Sequence, residues 1–202
     1  MIGKIRKGRS FGGCIRYVTQ KDDAEIIASE GVLLGTAEEM ARSFRWQCLL
    51  NPDVTKPVGH IALSFKPEDA PRLTDAFMAS LAEEYLELIG IRNTQFIVVR
   101  HHGTDNPHCH IVFNRVDFDG KVISDSNDFR RNEKVTKMLK DKYSLTYSEG
   151  KQSVKTEKLH ASEKVKYEIY RAVKEALRSA DTWKEFQNKL LKMGVEMEFK
   201  YK

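Results

Sequence analysis

The 202-residue chain reads as an α+β protein: a central antiparallel or mixed sheet with helices packed on it, and a helical C-terminal extension. Three observations predict this. Short alternating or β-branched runs are separated by stretches with helical spacing of apolar residues. Two of those runs, 96–100 and 108–117, are joined by a turn-forming loop and make a hairpin carrying an HxH pattern. Beyond Ser126 the strand signals give way to charged helical patterns.

The first strand covers Ile2 to Ile5. The basic residues Lys4, Arg6, Lys7 and Arg9 lead to Ser10, which can cap a helix holding Phe11, Ile15 and Val18 despite the weakening pair Gly12 and Gly13. Tyr17 sits on that helix. Thr36 with Glu39 three residues on forms a capping box for a second helix through Met40, Phe44 and Trp46, ending near Asn51-Pro52. Its spacing assigns Trp46 to the core. His60 to Phe65, bounded by Gly59 and Pro67, alternates as a strand with Ser64 between Leu63 and Phe65. One long helix is expected from Glu68 to Ile89, on Phe77, Leu81, Tyr85 and Leu88, with Gly90 as its stop. Phe96 to Arg100 reads as a buried strand and His108 to Asp117 as its partner across the loop Gly103 to Pro107. Asp119-Gly120 marks a tight turn into Lys121 to Ile123.

Asp128 to Lys142 is charged and helical, and Arg130 and Arg131 lie on it. Helices are expected at Glu163 to Arg178 and Thr182 to Lys192, then Gly194 and a strand-like end, VEMEFKYK. The chain thus divides into a main domain, 1–143, a polar linker or mobile loop, 144–162, and a helical subdomain, 163–202, and looks like a piece cut from a longer protein. A net charge of +5 leans only modestly toward a polyanionic partner. Cys14, Cys48 and Cys109 form no CxxC pair, and an odd count argues against a disulfide framework, which fits a reducing cytoplasm. The start, MIGKIRKGRS, lacks the apolar core of a signal peptide, and no apolar run approaches the ~20 residues needed to span a bilayer. A soluble cytoplasmic protein without membrane insertion is expected.

The run RHHGTDNPHCHIVFNR holds four of the six histidines and is the most informative feature. Alternation on a strand projects His108 and His110 from one face, roughly 7 Å apart at a rise of about 3.3 Å per residue. His101, ending the preceding strand, faces that pair if the loop closes a hairpin, while His102 points away. Asp105 suits the turn and can orient an imidazole. Three neutral imidazoles with open positions suit a Lewis-acid metal. The bland alternative is an exposed polar hairpin with histidines capping backbone groups. A structural zinc site would favour Cys109, which alternation places on the opposite face.

Three segments in order resemble the relaxase/mobilisation nuclease family of the HUH superfamily, the P-type mobilisation relaxases. KIRKGRSFGGCIRYVTQKDDA is similar to the family's tyrosine motif, HIALSFKPED to the strand whose serine lies near DNA, and HHGTDNPHCHIVFNRV to the histidine motif, which closes on Asn114. Many members carry an acidic residue where this chain has Gly103, and Asp105 or Asp22 is the expected substitute. The resemblance implies that Tyr17 attacks a phosphate of one DNA strand, giving a 5′-phosphotyrosine and a free 3′-hydroxyl, with Ser64 as a helper. It implies a divalent metal, Mn2+ or Mg2+, on His101, His108 and His110, with Asp105 and Asn114 behind them. A phenol of pKa near 10 needs such help to react as phenolate.

Read locally, Tyr17 beside Ile15 and Val18 is a core or interface residue, and Tyr143, Tyr147, Tyr167 and Tyr170 are rivals. Lys4, Arg6, Lys7, Arg9, Arg16, Arg100 and Arg115 can neutralise DNA phosphates, although charge runs are commonly just solvated faces. Trp46 and Phe129 are candidates for stacking on unpaired bases. The implied partners are single-stranded or hairpin origin-of-transfer DNA, accessory mobilisation proteins and a secretion coupling protein. Competing assignments are a rolling-circle initiator or transposase, which place the tyrosine after the histidines, a non-catalytic origin-binding module, and a metallohydrolase of small phosphoesters.

Overall fold

The structure is a computed structural model that describes residues 1–147 and 161–198. Two compact units divide the chain, Met1–Ser148 and Glu149–Lys202. In the first, five strands, β1 (Ile2–Gly8), β2 (Ala24–Glu30), β3 (Val58–Ser64), β4 (Phe96–His101) and β5 (His108–Asn114), form one sheet in the order β1-β3-β5-β4-β2. All four pairings are antiparallel.

Helices α1 (Phe11–Thr19) and α2 (Ala37–Cys48) cover one face, and α3 (Asp75–Ile89) and α4 (Asp128–Lys142) belong to the core on the other. Period-two alternation sorts the side chains. Ile97, Val99 and Val112 pack with Phe11, Ile15, Val18, Met40 and Phe44. Ile61, Leu63, Val98, Ile111 and Phe113 pack with Met78, Leu81, Tyr85, Ile89 and Leu139. Both caps of the first face follow their sequence signals: Ser10 accepts from Gly13 N, and Thr36 forms a capping box with Glu39. Asn132 of α4 donates to Gly3 O of β1 and accepts from the Tyr85 hydroxyl, which ties that helix to the sheet.

In the first unit, four sequence expectations change. Strand β2 has no counterpart among the expected elements, because a register shift between Ile26 and Ala28 breaks its alternation: Ile26 packs on one core and Ile27 on the other. The single helix expected over 68–89 is a 3₁₀ turn, Pro67–Arg72, followed by α3, which restarts at the N-cap Thr74. Pro71 lies inside that turn and cannot donate to a helical ladder. Trp46 is 61% exposed rather than core. Strand β5 stops at Asn114, short of Asp117, and Val116 and Val122 form an isolated bridge around the Asp119-Gly120 turn.

In the second unit, α5 (Ala161–Ser179) and α6 (Trp183–Lys192) bury Ala172, Ala176, Phe186 and Leu190 together, with Val195 and Met197 packed on them. Residues 195–198 carry no strand, so the strand-like reading of VEMEFKYK fails there, and 199–202 lie outside the described residues. So does most of the polar stretch 144–162, from 148 to 160.

Gly59 is required under the sheet: a Cβ there would stand 2.1 Å from ring atoms of Phe113. Gly59→Ala is expected to lower stability by about 1–3 kcal/mol in urea denaturation. Gly8→Ala, whose Cβ would meet Val58 at an ordinary 3.6 Å, should leave the midpoint nearly unchanged.

Candidate metal centre and active site

Register builds the centre. Across β4 and β5, His101 stands directly opposite His108, and Val99 opposite His110. On the other side of β5, Ser64 of β3 stands opposite His108 and Ala62 opposite His110. His101, His108, His110, His60 and Ser64 therefore share the face that α1 covers. One ring nitrogen from each of His101, His108 and His110 lies within 4.8 Å of the others. His101 and His110 are buried and His108 half-buried.

The outward nitrogens are anchored to backbone. His101 Nε2 is 2.7 Å from Val18 O, one of the terminal carbonyls of α1 that no helical N–H satisfies. His108 Nδ1 is 3.0 Å from Asn106 O. A carbonyl only accepts, so each of these nitrogens carries the proton and donates it. The inward atoms, His108 Nε2 and His101 Nδ1, are then two bare lone pairs facing each other at 3.2 Å. Lone pairs so placed repel unless a cation lies against both, and the negative end of the α1 dipole adds to the preference for one. The donor set fits a divalent metal.

Electrostatics keep these rings ready to ligate. Burial, followed by the charges of His60, His101 and His108, pulls His110 down to about 3. Burial likewise lowers His108 and His60. Neutral imidazole is the metal-binding form.

Tyr17 projects from α1 beside this cluster. Its ring is 62% exposed, with its centroid 5.8 Å from His110 and 6.0 Å from His60, both edge-on. A cavity of about 360 Å³ opens there, lined by Lys4, Arg6, Gly13, Cys14, Tyr17, His60, Ala62 and His110. The rival tyrosines of the same unit are engaged elsewhere, Tyr143 with Glu84 and Tyr147 with Asp141. Tyr167 and Tyr170 belong to the second unit.

Several expected site residues lie apart. Asp105 is exposed and bonds no imidazole among the described residues, since Val18 O and Asn106 O hold the rings instead. Asn114, at the far end of β5, is buried, donating to Phe44 O and Gln95 Oε1 and accepting from Val116 N, a structural role. Asp22 is exposed, whereas Asp23 Oδ2 occupies the space beside Gly103, 2.8 Å from where a Cβ would be. Among the basic residues, Lys4 and Arg6 reach the cavity, and Arg9 and Arg16 are exposed. Lys7 is paired with Asp128 at 2.5 Å and Asp125 at 3.1 Å, Arg100 with Asp75 at 2.6 Å, and Arg115 with Asp125 at 3.3 Å. Alternation turns Lys7 and Arg100 to the face opposite the histidines, and all three cations are held in ion pairs. Sequence reasoning passed over His60 and Lys21. His60 was discoverable, since it alternates in phase with Ser64; Lys21 is close enough to lower both His108 and His110 and carried no local signal.

A five-stranded antiparallel sheet carries on its central hairpin three histidines that could hold a metal, with an exposed tyrosine on the adjoining helix. Residues 17–145 match the relaxase family model for the MobA/VirD2-like nuclease domain, and the chain belongs to that family. Membership carries DNA-nicking endonuclease activity, binding of origin DNA and dependence on a metal. No curated protein matches the chain significantly. Among the described residues, no helix is long and apolar enough to cross a membrane.

The lowered histidines predict an acid-sensitive apoprotein. His110 has a folded value far below the ordinary 6.5, so below that pH the unfolded chain binds a proton that the folded one refuses. Stability is fully present above pH 6.5 and falls toward pH 3. Metal-free protein followed by thermal melts should lose Tm as pH drops from 7 to 4, and His110→Gln should flatten that slope; an unchanged slope would contradict the assignment.

Proposed function

We propose that the protein nicks one strand of DNA at an origin of transfer by tyrosine transesterification, for conjugative mobilisation of a plasmid or integrative element. The observation that carries this is the Tyr17 ring 5.8 Å from that of His110, within a cluster whose nitrogens are disposed for a metal.

Tyr17 loses its phenolic proton to water, and its oxygen attacks the scissile phosphorus. The Tyr17 O–P bond forms as the P–O3′ bond breaks, leaving a 5′-phosphotyrosine and a 3′-oxygen that takes up a proton. When bound on His101, His108 and His110, a divalent ion supplies Lewis-acid polarisation of the phosphate, and imidazole ligands favour Mn2+ over Mg2+. Lys4, Arg6, Arg9, Arg16 and Lys21 offset phosphate charge along the bound strand. Ser64, across from His108, donates its hydroxyl to the DNA near the nick. The ester conserves the phosphodiester's bond energy, so the 3′-hydroxyl can attack it and reseal the strand.

The nicking domain spans residues 1–143 in this proposal, 163–202 form a separate helical subdomain, and the reaction takes place on cytoplasmic DNA. Accessory mobilisation proteins and a secretion coupling protein complete the transfer machinery. Labelled single-stranded origin oligonucleotide with Mn2+ should give an SDS-resistant protein–DNA adduct that Tyr17→Phe abolishes and EDTA suppresses. An adduct persisting in Tyr17→Phe would overturn the assignment of the nucleophile.

A further inference from the structure

His60 lies in the wall of the Tyr17 cavity, and its Nε2 is 3.0 Å from His110 Nδ1, with ring centroids 5.1 Å apart. One proton sits in that contact, and its owner decides what His110 can do. If His60 Nε2–H donates, His110 Nδ1 accepts; a neutral His110 then carries its proton on Nε2 and has no lone pair left for a metal. If His110 Nδ1–H donates to His60, the His110 Nε2 lone pair is free. Only the second arrangement is compatible with the triad. The other two ligands gain their tautomer from fixed carbonyls, Val18 O and Asn106 O. For His110 the contact recorded at Nδ1 is an imidazole that can act in either sense.

We propose that His60 is a positioning residue for the metal centre: held as the Nδ1–H tautomer, it accepts from His110 Nδ1 and thereby presents His110 Nε2 to a divalent ion. This rests on the triad binding a metal, as proposed above. The hydrogen bond also makes His110 a more basic ligand and locks its ring against rotation, the effect that outer partners of ligating histidines commonly exert. β3 supplies His60 in register, since Ala62 pairs with His110 and His60 with Val112, so the two rings meet diagonally on one face.

The test is isothermal titration of the full chain with Mn2+, using two substitutions that separate shape from hydrogen bonding. His60→Phe keeps an aromatic ring against Tyr17 but accepts nothing; His60→Gln restores an acceptor at similar reach. His60→Phe is expected to weaken Mn2+ binding about 10- to 100-fold, and His60→Gln to recover most of it. Wild-type affinity in His60→Phe would overturn the proposal, as would equal loss in both variants. Should the Phe variant not fold, imidazole ¹⁵N NMR of the wild-type protein loaded with Zn2+ decides: a proton on His60 Nδ1 supports the role, and one on Nε2 refutes it. His108→Ala is the control. If wild type and His108→Ala bind Mn2+ alike, the triad itself fails; if only His108→Ala loses binding while His60→Phe does not, the failure belongs to His60 alone.

Discussion

The pairing of β4 with β5 is the constraint on which the rest of the site depends. With His101 directly opposite His108, three imidazoles converge on one side of the sheet's centre, flanked by β3 and β2. A slip of one residue would send His108 and His110 into the α3 side of the core and bring Cys109 forward. That slip is prevented by the fully buried Ile97, Val98, Val99, Ile111 and Val112, which fill the cores on the two faces. The hydrophobic packing that stabilises the fold and the geometry that places the ligands are thus the same interaction.

Helix α1 serves the centre at its C-terminal end. Its buried stripe, Phe11, Ile15 and Val18, sets the helix down on Ile97, Val99 and Val112. The position of Val18 leaves its carbonyl to receive His101, and the position before it carries Tyr17 outward beside His110. One helix terminus therefore delivers the tyrosine, a fixed acceptor and the negative end of a dipole to a site built for a cation.

The cations sort by sheet face. Along β1, Lys4 and Arg6 look into the cavity, whereas Lys7 turns to Asp125 and Asp128 at the start of α4. Arg100 and Arg115 are similarly consumed by Asp75 and Asp125. Of the seven basic residues that the sequence offers for a phosphate backbone, three are held in these ion pairs, and Lys4 and Arg6 line the cavity beside Tyr17.

The sequence by itself determined the elements whose signals are local: the caps at Ser10 and Thr36, helix α4, the hairpin, and the face shared by His108 and His110, because alternation and capping act within a few residues. It also carried the order of tyrosine before histidines, and with it the family. Tertiary structure alone decided what depends on partners distant in the chain. Strand β2 exists because β4 offers it an edge, although its bulge hides the alternation. Asn114 and Asp105 lie in a suggestive motif, yet the carbonyls of Val18 and Asn106 do the work expected of them, and no residue type advertises a backbone carbonyl. His60 looks like an ordinary strand histidine until β3 is laid beside β5, fifty residues away, and its ring meets His110.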